Sequence, residues 1–156
     1  MNAQIPLELP LPKRPARGRA AFRVSDSNRS AVALIDRWRD WPNGQLALIG
    51  PAGAGKTHLA HVRMEAATAE MIAAASLSPA DAPALVAPGA VAVEDVDRIA
   101  GDSAAERGLF HLMNLTRAEG CALLVTGQGA PKDWPMATPD LASRLGGLTA
   151  ATLAPP

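Results

Sequence analysis

The eight residues Gly50, Pro51, Ala52, Gly53, Ala54, Gly55, Lys56 and Thr57 spell G-x-x-x-x-G-K-T. They follow the apolar run Leu46-Ala47-Leu48-Ile49 without a break and lead straight into a helix-compatible stretch at residues 58–67. No other feature of the chain narrows the fold as far, because strand, glycine-rich turn and helix in this order form a phosphate-binding P-loop. The glycines let backbone N–H groups turn inward around a di- or triphosphate. Lys56 brings a point charge to the terminal phosphates, and Thr57 offers its hydroxyl to Mg²⁺. The positive end of the following helix faces the same anion. Stripped of that context, the pattern is only a glycine-rich turn.

The remaining apolar runs extend the strand and helix alternation. Ala90-Val91-Ala92-Val93 and residues 121–126 read as buried strands, and residues 69–74 as a weaker one. Residues 103–119 have helical periodicity, with Leu109, Leu112, Met113 and Thr116 on one side. Residues 29–41 read as an earlier helix, capped by Ser27 or Asn28, with Ala33, Leu34, Trp38 and Trp41 at helical spacing and the tryptophans as core packing. The class implied is α/β, a parallel sheet sandwiched between helices. A chain of 156 residues with 48% apolar content has the size and composition of one domain with a real core.

Fifteen basic and fifteen acidic side chains cancel, so no overall field holds nucleic acid or an anionic membrane, and any DNA contact is local, indirect or weak. Cys121 lies in an apolar run and reads as a buried strand residue, which fits a reducing, cytoplasmic setting. Four prolines and a basic cluster fall within residues 1–20, which read as an extended tail ahead of a nucleotide-binding domain at 21–156. Neither a signal peptide nor a membrane span is expected.

A P-loop on its own says that phosphate binds. Hydrolysis or switching also needs a carboxylate at a neighbouring strand end, to hold Mg²⁺ through water and orient the attacking water. Val91-Ala92-Val93 closes on Glu94 and Asp95. In the usual register Glu94 takes the metal position and Asp95 the base position, the reverse of the commonest Asp-Glu order. Glu reaches a methylene further and Asp a methylene less, so binding should tolerate the exchange better than chemistry does. At most weak hydrolysis at this site is expected. The alternative is a solvated acidic turn that includes Asp97. Thr126 and Gln128, at the carboxyl end of another strand, are placed to read a γ-phosphate or water, or simply to close the strand.

Taken together, the P-loop, Val93-Glu94-Asp95, Val125-Thr126-Gly127-Gln128 and Leu141-Ala142-Ser143-Arg144-Leu145 resemble the AAA+ core of DnaA-related replication proteins, over most of residues 21–148. The resemblance implies an AAA+ P-loop fold that binds ATP or ADP with Mg²⁺. It puts Thr126 or Gln128 in the sensor 1 region and Arg144 on the arginine finger, which acts in trans on a neighbour's nucleotide. The segment at residues 22–28 is similar to the family's strand and turn near the adenine, which implies Val24 and Asn28 as contacts there. The family continues into a helical lid with a sensor 2 arginine, and this chain stops before one. A P-loop without that lid would enclose its nucleotide less and hold it more weakly.

Gln4-Ile5-Pro6-Leu7-Glu8-Leu9 fits a Q-x-x-L-x-L sliding-clamp motif. Leu7 and Leu9 would insert into an apolar groove while the Gln4 amide bonds at its rim, with the prolines lowering the ordering cost. With Trp38-Arg39-Asp40-Trp41-Pro42, the tail resembles Hda-type regulators, which inactivate DnaA after replication begins. The partners so implied are the DNA polymerase sliding clamp and DnaA, with nucleoid association when clamp-bound; a homo-oligomer stays open. The rival reading is a helicase loader or other ATP-driven motor in which Glu94 and Asp95 work in cis and the tail is a linker. A third is a P-loop relic that binds no nucleotide.

Overall fold

A computed structural model describes residues 28–155; Gln4, Leu7, Leu9 and Val24 lie outside the described residues. Five parallel strands form one sheet: β1 (Gln45–Ile49), β2 (Glu70–Ala73), β3 (Ala90–Glu94), β4 (Ala122–Gly127) and β5 (Thr149–Thr152), in the order β2-β3-β4-β1-β5. The helices are α1 (Arg29–Asp36), α2 (Lys56–Ala66), α3 (Ala82–Val86), α4 (Ser103–Glu119) and α5 (Pro139–Gly146). Among them no helix is long and apolar enough to cross a membrane.

Strand alternation divides the core into two layers. Leu46 and Leu48 of β1 face one way, and pack with Ala31, Val32 and Ile35 of α1 and with Leu59, Ala60 and Met64 of α2. Ala47 faces the other way and joins Leu109, Leu112 and Met113 of α4 and Leu141 and Leu145 of α5. Both faces of β1, β3 and β4 are therefore covered, which is why these strands read as unbroken apolar runs rather than alternating ones. The expected parallel sheet between helices is what the structure contains.

α4 spans the residues expected of it, and its anticipated apolar side is buried through Thr116. The N-cap Asp102 accepts from Ala105 N–H, and Gly120, at φ +70°, ends the helix. Gln45 Nε2 donates to Met113 O at 3.0 Å, joining the start of β1 to the last turns of α4.

The first helix departs from expectation. It stops at Asp36, with a 3₁₀ turn at Trp38–Asp40, and buries Ala31, Val32 and Ile35, whereas Ala33 is exposed and Leu34 half-buried. The cause is Trp41, whose indole Nε1 donates to Leu34 O at 2.8 Å while its ring is buried. The chain folds back beneath α1 instead of prolonging it. Trp38 is only half-buried, and the guanidinium groups of Arg39 and Arg63 stand over its ring, at 4.5 and 5.1 Å from the centroid. Asn28 is the N-cap residue by position, but its side chain does not cap: Oδ1 accepts from Ala154 N–H at 2.9 Å, tying the start of α1 to the chain after β5.

Candidate functional site

The P-loop joins the carboxyl end of central β1 to the amino end of α2. Gly50 N–H donates to Gly127 O at 3.3 Å, and Leu153 N–H to Ile49 O at 2.8 Å, so the loop springs from a point fixed by both neighbouring strands. A Cβ on Gly50 would lie 2.8 Å from Leu153 O, which leaves room only for glycine. Gly53 and Gly55 have φ of +81° and +101°, and Gly55 is the N-cap of α2. These two left-handed positions wrap the loop around the helix end.

Lys56 sits inside that wrap. It is 8% exposed, and its ammonium donates to Gly50 O at 2.6 Å and Pro51 O at 2.9 Å. Two of its three protons are held by the loop's own carbonyls, which fixes the charge within the cradle and leaves a third donor for an anion. Thr57, the next residue, is exposed at the first turn of α2.

An open cavity of about 1080 Å³ brings Ala52, Gly53, Gly55, Lys56 and Thr57 together with Glu94, Asp95 and Gln128. The loop and both strand ends thus meet where a parallel sheet presents its ligand site. Glu94 ends β3 half-buried, and Asp95 follows it exposed at φ +59°, a left-handed position rare for a residue other than glycine. Asp95 N–H donates to Thr126 Oγ1 at 3.2 Å. Thr126 is buried and reaches the site through this bond to the Asp95 backbone, whereas Gln128 lines the cavity itself. Trp134 Nε1 donates to Gln128 O at 2.7 Å and steadies that strand end.

The segment is not a solvated turn throughout. Asp97 turns Oδ1 inward, buried and with no hydrogen-bond partner, close to Gly127. Gly50, Pro51 and Ala54 shape the loop without lining the cavity, and Asn28 and Arg144 lie away from it. Arg144, half-buried on α5, points Nη1 at Asn114 Oδ1 on α4, 2.6 Å away.

Sequence reasoning did not single out Arg98, His58, His61, Glu65 or Glu70, which line the same cavity. His61 and Glu65 stand 4.0 Å apart, one turn apart on α2. Arg98 follows Asp95 in a 3₁₀ turn at Val96–Ile99, with its N–H bonded to Asp95 O at 3.0 Å. Nothing in local spacing marks it, since the turn that brings it round depends on the left-handed Asp95.

The residues fit a bound nucleotide. The loop has its charge fixed in place, an exposed hydroxyl stands at the helix start, and the strand-end carboxylates of Glu94 and Asp95 share the same cavity. Among the described residues no group of three or more His, Cys, Asp or Glu side chains could hold a metal alone. Mg²⁺ held by few protein ligands and completed by phosphate oxygens and water suits this donor set.

No family model matches the chain. Its fold is shared with solved structures of replication proteins. Domain III of the Thermotoga maritima replication initiation protein DnaA matches with a TM-score of 0.73 and 20% identity, over 93% of this chain and 70% of that one. AMPPCP-bound DnaA from Aquifex aeolicus matches with a TM-score of 0.73 and 17% identity, over 90% of this chain and 50% of that one. The DnaC helicase loader matches with a TM-score of 0.57 and 16% identity, over 83% of this chain and 92% of that one. The chain spans about half the length of the replication initiation factors it matches, 48% in one case. At these identities the likeness establishes the fold alone, the α/β architecture with a parallel sheet between helices that the apolar runs implied.

Proposed function

We propose that the chain is a DnaA-related AAA+ regulator of replication initiation of the Hda type. It binds ATP or ADP through the P-loop and attaches to the DNA polymerase sliding clamp through Gln4, Leu7 and Leu9. It presents Arg144 to ATP held by DnaA, and so promotes hydrolysis in trans. Nucleotide in its own site acts as a conformational switch. Mg²⁺ there would be held by Thr57 and, through water, by Glu94, neutralising phosphate charge when bound. Asp95 would orient water, and Lys56 would hold the terminal phosphates.

What supports hydrolysis in trans is the place of Arg144: on α5, bonded to α4, and away from the cavity that holds the chain's own phosphate-binding residues. Arginine fingers supplied in trans are worth roughly 10³-fold or more in rate. Arg144→Ala is therefore expected to remove about 10³-fold of the stimulation of DnaA-bound ATP hydrolysis, measured with DNA-loaded clamp, while clamp affinity is retained. Retained stimulation would sink the assignment.

The tail is tested separately. Losing one buried leucine costs about 1.5–3 kcal/mol and one hydrogen bond about 1 kcal/mol, so Gln4→Ala with Leu7→Ala should weaken clamp binding by roughly a hundredfold. Equal affinity of variant and wild type for purified clamp would reduce the tail to a linker. The likeness to the DnaC helicase loader over 92% of that chain favours one second reading, a loader that turns over ATP in cis. Clamp-independent ATPase activity lost on Asp95→Asn would select it.

A further inference from the structure

The 3₁₀ turn at Val96–Ile99 sends its side chains in different directions. Val96 and Ile99 are buried in the core layer that also holds α4. Asp97 turns Oδ1 toward Gly127. Arg98 alone of the turn is exposed, and it lines the cavity with Lys56, Thr57, Glu94, Asp95 and Gln128. Its backbone N–H bonds to Asp95 O at 3.0 Å, so this bond and the two buried side chains fix where the arginine leaves the main chain.

The guanidinium itself has no partner. The carboxylates of Glu65, Glu70, Glu94 and Asp95 line the same cavity, yet among the described residues Arg98 makes no ion pair and its side chain no hydrogen bond. A planar fork of donors suited to carboxylate or phosphate oxygens is thus left free at the site.

The two cations of the cavity are carried by different elements. Lys56 is bonded to Gly50 O and Pro51 O inside the loop, the part of the site that would cradle the phosphates common to ADP and ATP. Arg98 rides on the turn just beyond Glu94 and Asp95, the strand end that a third phosphate would approach. A γ-phosphate brings further negative charge to a cavity that already holds these two carboxylates, and a cation on their side offsets the repulsion.

We propose that Arg98 is a specificity residue of the nucleotide site: its guanidinium bonds the γ-phosphate of ATP and sets the preference for ATP over ADP. The proposal rests on nucleotide binding at the P-loop and adds what tells the two nucleotides apart. Arg98 is exposed, so its replacement leaves the core untouched.

The experiment measures the affinity of the full chain, with Mg²⁺, for ADP and for AMPPCP, an ATP analogue that resists hydrolysis, in wild type, Arg98→Ala, Arg98→Lys and Lys56→Ala. Thermal unfolding of each variant is followed alongside. Losing a hydrogen-bonded charge contact should weaken AMPPCP binding in Arg98→Ala by roughly tenfold to a hundredfold. ADP affinity and unfolding temperature are expected to stay as in wild type. Arg98→Lys should recover only part of the loss, because an ammonium keeps the charge without the fork. Lys56→Ala should weaken both nucleotides.

Unchanged AMPPCP affinity in Arg98→Ala, with Lys56→Ala impaired, would overturn the role of Arg98 and leave the P-loop reading standing. Equal losses for ADP and AMPPCP would overturn it in favour of a general attraction for phosphate. Failure of the wild type to bind either nucleotide would overturn the P-loop reading and the role of Arg98 together.

Discussion

Replacing Lys56 by alanine is expected to weaken adenine nucleotide binding by roughly tenfold to a hundredfold, since hydrogen bonds to charged groups contribute about 1.5–3 kcal/mol and each 1.4 kcal/mol is tenfold. The geometry makes this residue hard to replace. Its ammonium is enclosed by the loop and anchored on Gly50 O and Pro51 O, so no neighbouring cation can take over the same point. Arg98 lines the cavity, but it is carried by the turn after β3 and not by the loop. Titration with a fluorescent adenine nucleotide, with thermal unfolding in parallel, separates loss of the phosphate contact from loss of the loop. An affinity within threefold of wild type would mean that the cradle binds through its backbone alone.

The second large effect concerns stability. Glu106 of α4 is 1% exposed and accepts three backbone hydrogen bonds. Gly101 N–H reaches Oε2 at 2.7 Å, Ala137 N–H reaches Oε2 at 2.9 Å, and Thr138 N–H reaches Oε1 at 2.8 Å. Burial by itself would raise its pKa, but the hydrogen bonds from Ala137, Gly101 and Thr138 outweigh it and hold the carboxyl down at about 2, against an ordinary 4.5. One buried anion thus joins the loop before α4 to the start of α5, the helix that carries Arg144.

In Glu106→Gln one acceptor becomes an NH₂ group facing an N–H donor, and the charge is gone. The expected cost is on the order of 3 kcal/mol near neutral pH, or about 6–12 °C in unfolding temperature for a chain of this size. Because the folded pKa lies below the unfolded one, this stabilisation is complete above about pH 4.5 and is lost as the pH falls toward 2. Wild type and variant should therefore converge in stability across that interval. Equal unfolding temperatures at pH 7 would contradict the role given to Glu106.

Glu106 also shows where sequence reading stops. It lies on a helix whose limits and apolar side follow from periodicity, yet its hydrogen bonds to Ala137 and Thr138 span thirty-one and thirty-two residues of chain. No local pattern announces such a partner. β1 and the P-loop were legible because their residue types have local causes: apolar side chains on a twice-covered strand, and glycines at positive φ. β5 was not, since Thr149-Ala150-Ala151-Thr152 lacks the branched apolar residues that mark a buried strand and gains its place only by pairing with β1. The early end of α1 was missed for the same reason, because Trp41 turns back to bond Leu34 O instead of extending the helical stripe. Within the site, Lys56, Thr57, Glu94, Asp95 and Gln128 were legible and share one cavity, while Thr126 acts one step back, through the Asp95 backbone.

The order of strands in the sheet also governs when the site can come into being. β1 leaves the ribosome early, but its two neighbours are β4 and β5: Leu46 pairs with Leu124 on one side and Thr149 on the other. Until those residues are synthesised, the strand ahead of the P-loop has both edges unpaired, and the turn that Gly127 O and the chain at Leu153 hold in place has nothing to lean on. Closing such distant contacts is slow relative to local helix formation. The geometry of the loop is therefore completed last during biogenesis, and a nascent chain halted before β5 carries the complete motif without the contacts that shape it.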